Sequence, residues 1–165
     1  MKYSEQSIQE LLEAAQFTEG LSSEMISGLA QHARLLKVEA GTVLFAEGES
    51  EDEIFVMLSG RAALEMTVPR RGRVRLLTVG PGELLGWSGL VDEGIMTATA
   101  LVTSEAQLIG LSSSRLLELS ESDHHFGYRL MRQTARAVSR RLVATRLQLL
   151  DLYADMEPES DQDLK

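Results

Sequence analysis

The sequence predicts an α+β fold that is mainly β: an antiparallel β-roll or jelly roll with N-terminal helices and one long C-terminal helix. Three observations lead there. Residues 36–111 alternate apolar and polar side chains in short runs broken at glycine corners, at roughly 8–12-residue spacing. Upstream of them, apolar residues recur at helical spacing instead. After Gly127 the chain continues to about Ala154 with neither glycine nor proline and with apolar residues three and four apart. The expected divisions are residues 1–35 (helices packing on the roll), 36–111 (the roll), 112–155 (C-terminal helices) and 156–165 (an acidic tail, expected to be disordered).

Taken in order, residues 4–15 carry Ile8, Leu11, Leu12 and Ala15 on one helical face, with Ser4 as N-cap. A second helix follows Phe17 and Gly20. Ser22 or Ser23 can cap it, and Met25, Ile26, Leu29 and Ala33 form its stripe. Strands are expected over residues 36–39, 42–45, 53–58, 61–66 and 73–79, with at least one further pair within 97–111 turning at Thr103-Ser104-Glu105. Glu39-Ala40-Gly41, residues 47–50, Ser59-Gly60 and residues 69–72 read as turns. Ser112-Ser113-Ser114 then caps a helix through Leu116, Leu117 and Leu119, and the long helix starts near Asp123 or His124.

Composition narrows the function classes. The 165 residues suit one domain with a sizeable core, and 44% hydrophobic with 25% charged is ordinary for a globular protein. A net charge of −9 disfavours non-specific nucleic-acid binding. With no cysteine there is no disulfide, thiolate metal site or cysteine nucleophile. No signal-peptide pattern and no spanning apolar run are seen, so a cytoplasmic address is expected. His32, His124 and His125 are too scattered for a metal site, and no catalytic constellation follows from spacing, so neither a metal nor enzyme activity is expected.

The residues that invite a ligand are Gly80-Pro81-Gly82-Glu83-Leu84-Leu85-Gly86-Trp87-Ser88-Gly89, followed by Thr97-Ala98-Thr99. Glycines let backbone approach an anion, and a helical turn starting near Trp87 would offer free N–H groups. The same stretch also suits a tight turn closing the roll, and both readings stand on these residues alone.

On the long helix Tyr128, Met131, Ala135, Val138, Leu142, Thr145, Leu149 and Leu152 form a heptad seam on the order of 40 Å long. Val143, Leu147, Leu150 and Ala154 form a stripe beside it. Two stripes imply two partners, the roll and a second helix, and a parallel two-fold homodimer is the economical arrangement. Arg129, Arg132, Arg136, Arg140, Arg141 and Arg146 meet no acid on the helix before Asp151. They are either a solvated face paired with acids of the roll or a docking surface for an acidic partner or nucleic acid.

Together these residues resemble the cyclic nucleotide-binding domain of catabolite-activator-type regulators. The resemblance rests on residues 17–22, 40–49, 55–62 and 80–86, and it extends from about Phe17 to Leu152. It implies a roll whose following helix forms a dimer interface. It also implies a phosphate cassette reading Gly-Glu-Leu, a short helix, then Arg-Ser/Thr-Ala, whose glutamate holds a ribose hydroxyl and whose arginine pairs with the cyclic phosphate.

Laid on without a gap, that glutamate falls on Trp87 and the arginine on Thr97, followed by Ala98. Indole donates only, so Trp87 cannot accept a ribose hydroxyl. Losing a desolvated charge partner removes about 2–5 kcal/mol, roughly 30- to several-thousand-fold in affinity. Ordinary cyclic AMP binding is therefore not expected. Hydroxyls of Ser88, Thr97 and Thr99 and backbone beyond Gly86 remain for another anion, and Arg73 or Arg75 could reach in from the preceding strand. Trp87 either fills the sugar subsite or stacks on a planar ligand. Thr145 either lies near a purine or sets helix register.

The expectation is a regulatory sensor domain of this kind. Its small effector would sit among Gly86, Trp87, Ser88, Gly89, Thr97, Ala98, Thr99 and Thr145, with no bound cofactor. The alternative is a ligand-free protein-interaction module whose pocket Trp87 plugs. The family's helix-turn-helix has no counterpart after Leu152 in this sequence, so direct sequence-specific DNA binding is not expected.

Overall fold

The computed structural model describes residues 5–91 and 94–154. Two helices, α1 (Glu5–Glu13) and α2 (Ser23–Ala30), precede the sheet. A 3-10 turn over Gln16–Thr18 joins them. The Thr18 hydroxyl donates to the carbonyls of Leu12 and Ala15, which satisfies acceptors released where α1 stops ahead of the expected Ala15. Ser22 is the cap of α2, its hydroxyl accepting from the Met25 N–H at 3.3 Å. The expected cap Ser4 lies outside the described residues. Ala33 does not close the stripe of α2; it opens the sheet.

Six strands form one antiparallel sheet: β1 (Ala33–Val38), β2 (Val43–Phe45), β3 (Glu53–Val68), β4 (Gly72–Val79), β5 (Leu84–Leu85) and β6 (Thr99–Ser112). Their order is β1-β6-β3-β4, with β2 added to β6 and β5 to β3. The sheet therefore starts ahead of residue 36, and β5 is a strand that its two-residue length hid from the sequence.

Two expected turns are not turns. Ser59-Gly60 lies inside β3, and Thr103-Ser104-Glu105 lies inside β6. Both strands bend at the same level, where the pairing register shifts between Met57 and Ala62. Gly60 makes the bend possible, with φ +81 and a position where a Cβ would come within 2.4 Å of the Glu105 carbonyl oxygen. Polar residues gather there because pairing is interrupted, not because the chain reverses. The Thr103 hydroxyl recovers one acceptor by donating to the Arg61 carbonyl at 3.2 Å. The real reversal is the β3–β4 hairpin, with Arg70 (φ 67) and Gly72 (φ 74) in left-handed conformation.

The two faces of the sheet bury separate cores. Ile54, Val56, Ile109 and Leu111 pack with Leu12, Phe17, Leu29, Phe126 and Leu130 of the helices. Phe55, Met57, Ala62, Leu64, Val102 and Leu108 point to the inside of the roll. The strict alternation of β3 therefore reads as a continuous apolar run, because both faces are covered.

Three helices remain: α3 (Ser88–Val91), α4 (Ser113–Ser122) and α5 (His124–Ala154). Ser112 caps α4 by accepting from the Arg115 N–H at 3.2 Å. Asp52 reinforces that end, taking hydrogen bonds from the Ser112, Ser113 and Ser114 hydroxyls and the Ser114 N–H at 2.8–3.1 Å. Asp123 caps α5 through the N–H groups of His125 and Phe126.

Neither expected stripe of α5 covers the roll. Its inner face is Phe126, Leu130, Gln133 and Thr134, all buried, continued by the half-buried Ala137 and Arg141. The polar members concealed this face from a hydropathy reading. Gln133 donates to the Glu19 carbonyl and Thr134 to Leu130, so each buried polar side chain has a hydrogen-bond partner. Of the seam, Met131 is half-buried and packs on the protein's own core. Tyr128, Ala135, Val138, Leu142 and Leu149 are exposed, Leu142 at 50%, as are Val143, Leu147 and Leu150. The side chains of Leu152 and Ala154 lie outside the described residues. No helix among the described residues is long and apolar enough to cross a membrane.

Candidate functional site

Gly80 to Gly86 leaves β4, turns, and enters β5. The Glu83 carboxylate accepts from the Gly80 N–H at 2.7 Å, and Gly82 takes φ +84 while donating to the Met57 carbonyl. Gly86 (φ +77) then lies on β3, where a Cβ would sit 2.8 Å from the Glu53 carbonyl oxygen. This close approach fixes where α3 begins and points Trp87 toward α5.

Beside Trp87 is a cavity of about 30 Å³, lined by Phe45, Leu64, Gly86, Trp87, Ser88, Met96, Thr97 and Arg141. That volume holds a water or two rather than a nucleotide. Of the residues named from the sequence, the fold thus gathers Gly86, Trp87, Ser88 and Thr97 around one space. Gly89 is elsewhere: it is pressed against α4, where a Cβ would lie 2.4 Å from the Ser113 hydroxyl. Ala98 packs into the inner core, and the buried Thr99 hydroxyl accepts from the Glu47 N–H at 3.0 Å. Thr145 is exposed and donates to the Arg141 carbonyl at 2.8 Å. Arg73 and Arg75 do not line the cavity, and Arg75 lies 3.7 Å from Glu65.

Met96 belongs to the wall and was missed. It is only 2% exposed, with Thr97 exposed beside it. With Thr97-Ala98 matched to the hydroxyl and alanine of the cassette triplet, the arginine position falls on Met96 rather than on Thr97. The cassette lacks its cation under either alignment.

A cation reaches the site from α5 instead. The Arg141 guanidinium carbon lies 4.4 Å from the centroid of the Trp87 ring. Its Nη2 donates to the Leu84 carbonyl at 3.0 Å and stands 4.0 Å from Glu83. The side chain is 13% exposed, and burial lowers its pKa to about 10 against the opposing pull of Glu83. No sequence signal singled Arg141 out among the six arginines of the helix. Arg140 bonds Gln16, Arg129 keeps a buried Nε with no partner among the described residues, and Arg132, Arg136 and Arg146 are exposed. Among the described residues no three His, Cys, Asp or Glu side chains are placed to hold a metal ion.

Comparison with known proteins agrees with this architecture. The profile of the cyclic nucleotide-binding domain matches residues 35–123. A CRP-like cAMP-activated global transcriptional regulator of Mycobacterium tuberculosis is 27% identical over 132 residues, 79% of this chain and 58% of that protein. The chain thus spans well under two thirds of that relative's length. The N-terminal domain of a transcriptional regulator from Streptomyces coelicolor superposes with a TM-score of 0.65 at 26% identity, covering 92% of this chain and 99% of the other. A cyclic nucleotide-binding domain from Methylobacillus flagellatus shares the fold at a TM-score of 0.77 and 17% identity, over 95% of this chain and 86% of its own.

Proposed function

From the premise that this chain belongs to the cyclic nucleotide-binding domain family, we propose that it is a regulatory domain in which a small effector enters beside Trp87 and moves α5. One observation carries the reading: Arg141 of α5 is part of the cavity wall and lies on the Trp87 ring. An effector that enlarges the cavity must displace or recruit Arg141, and so must change how α5 rests on the roll. The exposed seam of Tyr128, Val138, Leu142 and Leu149 would pass that change to a second copy in a parallel homodimer. Cyclic AMP held in the family's usual way is not the effector in this reading, since neither cassette anchor is present.

The small cavity supports a second reading, in which Trp87 and Arg141 close the pocket for good and the domain serves as a protein-interaction module. Titration calorimetry against nucleotides and central metabolites separates the two. Heat from one compound, abolished by Trp87→Ala, supports the sensor; no heat from any compound supports the interaction module.

A further inference from the structure

We propose that the outer face of α5, from Arg132 to Leu150, docks an amphipathic helix of a partner protein that carries carboxylates along one half and apolar side chains along the other. The proposal goes beyond the effector reading and does not depend on whether the cavity beside Trp87 takes a ligand. Arg132, Arg136, Arg140, Val143, Leu147 and Leu150 follow one another at spacings of four, four, three, four and three residues. At about 100° per residue they share one stripe of the helix, on the order of 27 Å long. The residues that lie on the roll, Phe126, Leu130, Gln133 and Thr134, are about a third of a turn away on one side. The seam of Val138, Leu142 and Leu149 is about a third of a turn away on the other. The stripe is therefore exposed in the single chain, and a seam dimer leaves it so.

Each half of the stripe lacks the partner its chemistry calls for. Arg132, Arg136 and Arg140 are exposed, and none of them forms an ion pair with a carboxylate among the described residues. Arg140 donates instead to the neutral Gln16 side chain. Pairing with acids of the roll thus does not account for these three arginines. The whole of α5 holds six arginines and one aspartate in a chain whose net charge is −9, so its charge is set against an otherwise acidic protein. Val143, Leu147 and Leu150 are 52%, 58% and 63% exposed and belong to neither core. Large apolar side chains lined up in water mark an interaction surface.

Charge and pattern together select the occupant. A second copy laid along this stripe in parallel would set arginine against arginine. Laid antiparallel it would set arginines against Leu147 and Val143, and either way cations are buried without an anion. Nucleic acid would meet the arginines but leave the apolar half in water, and the net charge opposes it. The chain's own acids in residues 157–163 have among them no aliphatic or aromatic side chain to cover Val143, Leu147 and Leu150. A helix with carboxylates four residues apart, continued by apolar residues three and four apart, matches both halves at once.

The test titrates the full chain into a fluorescein-labelled synthetic helix bearing three glutamates and then three leucines at the spacings of the stripe, read by anisotropy. Comparison probes are the same helix with serine for leucine, the same helix with lysine for glutamate, and a DNA duplex. Saturable binding of the glutamate–leucine helix is expected, weakened by salt and absent with the lysine probe. Arg132→Glu with Arg136→Glu should weaken it at least about tenfold, and Leu147→Ser about tenfold, with far-ultraviolet circular dichroism unchanged. No saturable binding overturns the proposal, as does equal binding by wild type and the arginine variant. Equal binding of the serine probe, or tighter binding of the duplex, reduces the face to a general polyanion site and overturns it too. A fall in the mass of the wild-type assembly on Leu147→Ser would assign the face to a second copy. Much tighter probe binding after Glu157→Gln, Glu159→Gln, Asp161→Asn and Asp163→Asn together would assign it to the chain's own acids; both results overturn the partner helix.

Discussion

Arg141, on the long helix, stands over the ring of Trp87, the only tryptophan in the sequence, its guanidinium carbon 4.4 Å from the ring centroid. A desolvated cation–π contact is worth about 2 kcal/mol. The charge that makes it is also poorly neutralised, and those two effects oppose each other. Arg141→Ala should therefore change thermal stability by only about 1 kcal/mol while opening the site. The measurement is Trp87 emission and acrylamide quenching: a red shift with faster quenching is expected, and an unchanged spectrum would mean that Trp87 is packed independently of α5.

Rebuilding the cassette tests whether its turn is intact. Trp87→Glu together with Met96→Arg restores the two anchors, each worth about 2–5 kcal/mol when desolvated. Cyclic AMP binding should appear in the double variant by calorimetry and be absent from each single variant. If Trp87→Glu with Thr97→Arg binds instead, the alignment placing the arginine on Thr97 is the right one. A folded double variant of either kind that binds nothing would show that the cavity has collapsed.

Asp52 holds the N-terminus of α4. Burial by itself would raise its pKa, but the hydrogen bonds from Ser112, Ser114 and Ser113 outweigh that and leave it below the usual carboxylate range. A carboxylate depressed in the folded state contributes stability that is complete above its unfolded pKa of about 4, and this is lost as pH falls through the folded value. Asp52 is exposed and asparagine still accepts, so Asp52→Asn should cost less than about 1 kcal/mol at pH 7, with the difference from wild type shrinking below pH 4. Urea melts at pH 7 and pH 3 check it, and an equal difference at both values would remove Asp52 from the acid response.

The two faces of α5 should respond oppositely to mutation. Leu130 is buried in the helix–sheet core, and Leu130→Ala should cost about 2–5 kcal/mol. Leu142 touches no core in the single chain, so Leu142→Glu should leave the fold intact. In a seam dimer it should reduce the mass measured by light scattering to that of one chain. Because the chain has no cysteine, Leu142→Cys should also cross-link with its partner copy under oxidation. A wild-type mass of one chain at all concentrations would exclude the dimer.

Gly60 bears the bend shared by β3 and β6. With φ +81 and the Glu105 carbonyl oxygen 2.4 Å from where a Cβ would be, Gly60→Ala should cost roughly 2–4 kcal/mol. Thermal unfolding measures it. The same substitution at Gly28, where a Cβ meets nothing within 4 Å, should be neutral or slightly stabilising.

What the sequence determined by itself was whatever depends on neighbours along the chain. The glycine corners other than Gly60, a serine cap at Ser22 or Ser23 and another within Ser112–Ser114, the start of α5 and the roll itself all follow from local conformational needs and apolar period. The loss of the cassette's anchors was legible too, since a tryptophan cannot do the work of a glutamate wherever it points.

Tertiary structure decided what depends on distant segments meeting. Ser59-Gly60 and Thr103-Ser104-Glu105 look like turns until they are seen to lie inside two strands that bend at a shared register shift. The face of α5 that covers the roll includes Gln133 and Thr134, whose polarity matters only until Glu19 and Leu130 supply their acceptors. Arg141 was one of six similar arginines, and only the docking of α5 placed that one on Trp87. Local sequence encodes backbone preference residue by residue, whereas the identity of a burying partner is set by how the whole helix lies on the sheet.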